Sequence, residues 1–307
     1  MRFRRVMGIG LAVMVGVVGL VCAFLLRDPM PHFIERRSML ASVQAGERRV
    51  EDGYVRQAVQ LTARSGLVVD LVVSRALADS GATLPVALLL GGHARGPEAA
   101  RLLGDHRGVM IAAMSYPYGG NLNPSAIAFL RQIPAIRRAF LDTPPAMMLA
   151  VDYLLRRPDV DSTRVEGIGV SLGAPFVCIA GALDPRFKRV WAIQGSGGSY
   201  APLESNMKRS IPSSVLRVPA AALANVIIAG PRLDPTRWVP RISPRPFVMV
   251  SATQDERMPR DEVEALYHSA RQPKESIWMT GGHVHGDLPT IRRLVAIVLP
   301  RVRAGIN

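Results

Sequence analysis

The pentapeptide Gly169-Val170-Ser171-Leu172-Gly173 sets a serine between two glycines, within RVEGIGVSLGAPFVCIAGAL. The apolar run Val165–Val170 reads as a short buried strand, and the small-residue stretch Ala174–Ala182 reads as a helix. A serine on such a strand-to-helix turn has strained backbone angles, and its hydroxyl stands clear of the sheet as a nucleophile elbow requires. The residues two before and two after it must lack bulk, because the turn brings them together. Pro175 falls in the first helical turn, where its missing N–H has no intrahelical acceptor.

A serine hydroxyl attacks only when a base takes its proton, and histidine suits that task near neutral pH. The chain has six histidines. His32 lies in a polar segment ahead of the main domain. His106, in Asp105-His106-Arg107-Gly108, reads as exposed, and His268 reads as structural on a helix face. His283 and His285 share the loop Thr280-Gly281-Gly282-His283-Val284-His285-Gly286-Asp287. Residues two apart in an extended loop point in opposite directions. His283, directly after the two glycines, is taken as the base, and His285 as a residue held by Asp287. An acid must orient the imidazole. Asp255, in the loop after the run Val248-Met249-Val250, is the candidate, with Glu256 as the neighbouring alternative and Asp261 as a helix cap. The oxyanion of a tetrahedral intermediate needs two donors. The backbone N–H of Leu172 supplies one. The second is expected after the run Pro85–Leu90, from His93 or from Gly92.

Elements that could position these groups follow from patterning. Tyr54–Ala63 and Gly66–Ala76 read as a hairpin. Pro85–Leu90, Val109–Met114, Val165–Val170, Val190–Gln194, Pro246–Ser251 and Ser276–Met279 read as strands. Glu98–Leu103, Pro144–Arg156, Glu262–Ala270 and Ile291–Val302 read as helices between or after them. Strands alternating with helices imply a mostly parallel sheet covered on both faces. Some fifty residues separate the strands at Val190 and Pro246, too many for a plain connection. Within them Leu216–Ala229 is apolar and reads as a helix, either packed on the domain or capping the mouth of the site.

The chain has 307 residues, of which 49% are hydrophobic and 20% charged, enough for one large core. The net charge of +14 is almost all arginine, since Lys188, Lys208 and Lys274 are the only lysines. The arginines are spread out, and neither a basic recognition helix nor zinc-ligand cysteines occur, which argues against nucleic acid as a partner. Cys22 and Cys178 cannot form a disulfide framework. Val6–Leu26 runs 21 residues without a charge. As a helix it would span roughly 31 Å, about one hydrocarbon core. Arg2, Arg4 and Arg5 favour a cytoplasmic N-terminus, sending the rest to the extracytoplasmic, periplasmic side. The competing reading is a cleaved signal peptide ending at Val21-Cys22-Ala23.

Together the stretches PVALLLGGHARG, AVDYLLRRPDVDSTRVEGIGVSLGAP, ISPRPFVMVSATQDERMP and GGHVHGD resemble the α/β-hydrolase superfamily, in the flavour of its dienelactone hydrolase and acetyl xylan esterase-like branch. The order Ser171, Asp255, His283 is that superfamily's order. The nucleophile is serine where dienelactone hydrolases carry cysteine, and Gly91-Gly92 stands where the family's His-Gly is usual. The resemblance implies an α/β-hydrolase fold, a Ser171-His283-Asp255 triad, and cleavage of a small-molecule or lipid carboxylic ester without metal or organic cofactor. Acyl transfer, thioester cleavage and a non-catalytic binding role on the same fold are the rivals. The expected organisation is a basic N-terminus and transmembrane anchor over 1–26, a linker over 27–50, and a catalytic domain over 51–307 with a possible cap insertion at 199–243. Nothing in the sequence sets an oligomeric state.

Overall fold

The continuous apolar runs become the inner strands of one nine-stranded sheet. This computed structural model describes residues 2–91, 96–120 and 126–305, the side chains of residues 2–13, 97 and 126–130 excepted. In chain order the strands are β1 (Leu40–Glu51), β2 (Tyr54–Ala63), β3 (Val68–Ala76), β4 (Leu84–Leu90), β5 (Met110–Met114), β6 (Val160–Val170), β7 (Arg189–Ile193), β8 (Phe247–Ala252) and β9 (Lys274–Met279). Their spatial order is β1-β2-β3-β5-β4-β6-β7-β8-β9. β1, β2, β3 and β5 pair antiparallel in succession, and every pairing from β5 to β9 is parallel.

The helices are α1 (Arg2–Leu25), α2 (Met30–Arg36), α3 (Gly96–Leu102), α4 (Ala126–Leu154), α5 (Gly173–Leu183), α6 (Tyr200–Met207), α7 (Ser214–Ile227), α8 (Gly230–Leu233), α9 (Arg260–Ser269) and α10 (Leu288–Ala304). They cover both faces because the inner strands are apolar on both. Val86, Leu88 and Leu90 of β4 join the core beneath α4 and α5, whereas Ala87 and Leu89 join the one beneath α3 and α10. That split is the period-two alternation of a strand buried on each side.

Residues 27–50 are no linker. Phe33 of α2 is 1% exposed and meets the Trp238 ring at 5.9 Å. Arg36 donates to both carboxylate oxygens of Asp142 in α4, each at 2.9 Å, and His32 Nε2 lies 2.7 Å from the same group. Leu40–Glu51 then forms the sheet's edge strand, turning into β2 at Asp52-Gly53, both with positive φ. Only Leu40 of that strand is buried, so it lacks the apolar alternation that marks a strand. The Asp-Gly pair is the signal that could have found it.

The helix expected from Pro144 begins at Ala126 and runs through Pro134, Pro144 and Pro145. Prolines forfeit N–H donors, so Pro144 and Pro145 leave the Phe140 and Leu141 carbonyls without their i+4 donors. The buried face around Met147, Leu149 and Val151 packs against the sheet and outweighs the local penalty. His106, read as exposed, is buried: Nε2 lies 3.0 Å from Ser74 Oγ and Nδ1 lies 2.9 Å from the Gly104 carbonyl, with the ring stacked on Tyr54.

Among the described residues no single helix is long and apolar enough to cross a membrane. Met14–Leu25 and Met30–Arg36 pass that test only as a pair, bent by 45°. The apolar run expected from Val6 begins among residues whose side chains lie outside the described set. From Met14 to Phe24 the large apolar side chains stand exposed.

Candidate active site

The elbow is built by close packing of backbone at the carboxyl end of β6. Ser171 has φ +53°, and its N–H donates to the Ile193 carbonyl of β7 at 2.8 Å. A Cβ on Gly169 would come within 2.4 Å of the Gly173 carbonyl oxygen, and one on Gly173 within 2.2 Å of the Leu90 carbonyl oxygen. Both glycines are therefore required by approach distance, the reason the G-x-S-x-G spacing is legible at all. Leu172 caps α5, so its N–H heads the helix, where the dipole favours negative charge. Pro175 sits in the first turn, as its chemistry allows.

Asp255 lies in the turn after β8. Its Oδ1 accepts from the backbone N–H groups of Arg257 and Met258 at 2.9 and 3.0 Å, which fixes the carboxylate's direction. His283 lies in the loop after β9. Its Nδ1 stands 2.9 Å from Asp255 Oδ2, and its Nε2 stands 2.7 Å from Ser171 Oγ. With Nδ1 protonated toward Asp255, Nε2 presents a lone pair to the serine hydroxyl. The His283 side chain is 0% exposed and that of Asp255 6%, so solvent screens this chain of hydrogen bonds little.

Two further residues hold the histidine loop, neither assigned to this task from sequence. Gln194 directly follows β7, with φ +47° and its N–H on the Val250 carbonyl. Its Nε2 donates to the Gly282 carbonyl at 3.3 Å, and its Oε1 accepts from the Val284 N–H at 2.5 Å, bracketing His283 on both sides. Glu256, the alternative acid, does not face Nδ1 of His283. Its Oε2 accepts from the His283 backbone N–H at 3.0 Å, and its Oε1 lies 2.6 Å from His285 Nε2. Partial burial raises the Glu256 pKa, but the N–H of His283, its own N–H and the His285 ring outweigh that and hold it at about 2. Asp287, expected to hold His285, caps α10 through the Thr290 N–H at 2.9 Å and meets His285 at its backbone, while the His285 ring faces Glu256. Asp261 lies in the first turn of α9, whose cap is Pro259.

Gln194→Ala should lower kcat by about 10²-fold while KM changes little, because misplacing a reacting group by an ångström costs about that much. Steady-state kinetics and a thermal melt on the same sample check this. A parallel fall in melting temperature and a KM-only effect would assign Gln194 to packing instead.

Gly92 and His93, the candidates for the second oxyanion donor, lie outside the described residues. The neighbouring Gly91 is buried, and its carbonyl accepts from Tyr116 Oη at 2.8 Å. Cys178 is fully buried and burial pushes its thiol up, which leaves it a core residue rather than a nucleophile. Among the described residues, no cluster of His, Cys, Asp or Glu could hold a metal ion.

The residues between β7 and β8 supply α6, α7 and α8. Leu203 and Asn206 of α6 and Leu233 of α8 face Leu172 and Phe176 of α5 across a cavity of about 330 Å³ that reaches Ser171. Parts of the insertion thus line the cavity beside Ser171, although of Leu216–Ala229 only Ile228 does so.

A parallel sheet crossed by helices, with a serine elbow after one strand, an acid and a histidine after later ones, defines the α/β-hydrolase fold, and the solved structures agree. The acetyl xylan esterase of Paenibacillus sp. R4 matches with a TM-score of 0.61 and 17% identity, over 89% of this chain and 91% of that one. Acetyl xylan esterase 1 of Thermoanaerobacterium sp. matches at 0.60 and 15%, over 90% and 94%. The α/β hydrolase GrgF of Penicillium sp. sh18 matches at 0.57 and 17%, over 81% and 99%. Several structural neighbours are thus esterases or hydrolases of this fold.

No protein-family model matches the chain. Among curated proteins, the uncharacterized protein YfhR of Salmonella typhi is 27% identical over 143 residues, 43% of this chain and 44% of that protein. The chain thus spans under half the length of this relative in the match.

Proposed function

We propose that this chain is a membrane-anchored serine hydrolase that cleaves carboxylic esters. The observation that carries the reading is the unbroken set of hydrogen-bond distances from Ser171 Oγ through His283 to Asp255. Ser171 Oγ attacks the acyl carbon as its proton passes to His283 Nε2, and Asp255 stabilises the imidazolium. The carbonyl oxygen becomes an oxyanion, which takes the Leu172 N–H and a second donor from Gly92 or His93. Collapse breaks the acyl–alkoxy bond, and His283 returns the proton to the leaving alcohol. Water then attacks the acyl-enzyme, giving its proton to His283 and releasing the carboxylic acid and the free serine. The fold's esterase neighbours support the reaction class.

The test is hydrolysis of p-nitrophenyl esters by the wild-type protein, with alcohol acceptors and thioesters in parallel. Ester turnover without transfer supports the reading. Preferential transfer to an alcohol, or preferential cleavage of thioesters, would move the same three residues to an acyltransferase or thioesterase.

The anchor rests on the 21 uncharged residues Val6–Leu26 and on how their end is held. Arg137 of α4 donates to the Leu25 carbonyl at 2.5 Å and to the Ile227 carbonyl of α7 at 2.6 Å, and Arg232 of α8 donates to the Leu26 carbonyl. Cations at a helix carboxyl end also suit its dipole. These contacts tie the anchor to the insertion over the site, with the hydrolase domain on the extracytoplasmic side. The protein should stay in the membrane fraction through high-salt and carbonate washing, and the domain should be cut by protease added to spheroplasts. A soluble chain beginning near Phe24 would replace the anchor by a cleaved signal peptide.

A further inference from the structure

A second cavity, of about 280 Å³, opens on the other side of Ser171, between the sheet and α10. Ala87 and Leu89 of β4, Ile111 of β5 and Ile168 of β6 line its sheet side, with Leu294 and Val298 of α10 opposite. Among the described residues, its polar lining is confined to Ser171, Arg257 and His285. The four steps from Gly91, just past the end of β4 and beside the elbow, down to Ala87 give it a depth of about 13 Å at the strand's rise of about 3.3 Å per residue.

Protein interiors are packed with few voids larger than a water molecule. A void of this size destabilises the core in proportion to its volume unless something fills it. Water is a poor filler, since it needs several polar partners and, among the described residues, the deep walls provide none. The position is equally specific. Ser171 borders both this cavity and the one beneath the insertion. An ester carbon bonded to Ser171 Oγ has two groups to accommodate, the acyl chain and the departing alkoxy group. The insertion side offers Ser196, Ser199 and Asn206, which can hydrogen-bond an alcohol moiety. Among the described residues, the sheet side offers only hydrocarbon beyond its mouth.

We propose that the cavity between the sheet and α10 is the acyl-chain site, and that the substrate is an ester of a medium-chain fatty acid. This rests on the serine-hydrolase reading. The two xylan esterases in the comparison are named for acetyl esters; the cavity gives this chain the opposite preference. Each buried methylene adds to transition-state binding, so reactivity should climb as the chain lengthens until the cavity is full.

The test compares p-nitrophenyl acetate with p-nitrophenyl octanoate. The wild-type kcat/KM should favour octanoate by at least about tenfold. Val298→Phe, which fills the deep end, should lower the octanoate-to-acetate ratio by about tenfold. Leu294→Phe is the second variant, in case the first fails to fold by thermal melting. Leu203→Phe, on the insertion side, should lower both esters together and keep the ratio, because the alcohol is the same. A ratio that collapses in Leu203→Phe and not in the α10 variants would put the chain under the insertion and overturn the proposal. Calorimetry with decanoate on Ser171→Ala provides a readout independent of turnover. Decanoate should bind, and Val298→Phe added to Ser171→Ala should weaken it by about tenfold. No decanoate binding overturns the acyl site. No ester turnover by the wild-type protein, with decanoate binding intact and sensitive to Val298→Phe, overturns the hydrolase reading and leaves the chain-binding cavity standing.

Discussion

Ser171→Ala should lower kcat for ester hydrolysis by about four to six orders of magnitude and leave the melting temperature close to that of the wild type. The size follows from the loss of the covalent intermediate, since nothing else at the elbow can bond the acyl carbon. The structural tolerance follows from the backbone. Alanine keeps the Cβ that serine already carries at φ +53°, and the close approaches at this turn belong to Gly169 and Gly173. The lost hydroxyl bonds His283, which stays tethered through Asp255 and its own N–H. A variant that hydrolyses p-nitrophenyl esters at the wild-type rate would remove Ser171 from the mechanism. Gly173→Ala would not be a clean alternative, because its Cβ would strike the Leu90 carbonyl.

His283→Ala should cost nearly as much as Ser171→Ala, and the double variant little more than either, because nucleophile and base act as a unit. His285→Ala should cost less than about tenfold. The contrast is geometric. The His283 ring is enclosed with both nitrogens engaged, one toward Ser171 and one toward Asp255. The His285 side chain is 43% exposed, and its Nε2 faces Glu256. The rings sit 5.8 Å apart, so His285 borders the site without reaching the hydroxyl. Parallel kcat measurements on the three variants decide it, and the reverse ranking would hand the base role to His285. Glu256 is no source of pH dependence in the ordinary assay range. Its pKa is depressed to about 2, so the tether it gives the His283 N–H is fully present above the usual carboxylate range and is lost only as pH falls toward 2.

The parts of this fold that sequence makes legible are those where one local cause dominates. β4, β7, β8 and the second half of β6 from Val165 are buried on both faces and therefore largely apolar. The elbow is legible because approach distances at two positions admit only glycine. Asp255 and His283 could be chosen because both stand in loops after strands, where this sheet gathers its carboxyl ends. What escaped depends on contacts distant in sequence. β1 is exposed on both faces and exists through its pairing with β2. The start of α4 is hidden by prolines that its buried face outweighs. Gln194 carries no motif, and its role arises only when β7 ends beside the loop that follows β9. The sheet-side cavity needs α10 to stand off small residues such as Ala87 and Ala99, a spacing no sequence pattern encodes.

The central claim is that Ser171 is a nucleophile activated by His283, and the most direct measurement is covalent labelling with a fluorophosphonate followed by peptide mass spectrometry. One phosphonyl adduct is expected, on the peptide carrying Ser171, absent from Ser171→Ala and strongly slowed in His283→Ala. An adduct on another residue, or ester-hydrolysing protein that leaves Ser171 unlabelled, would contradict it.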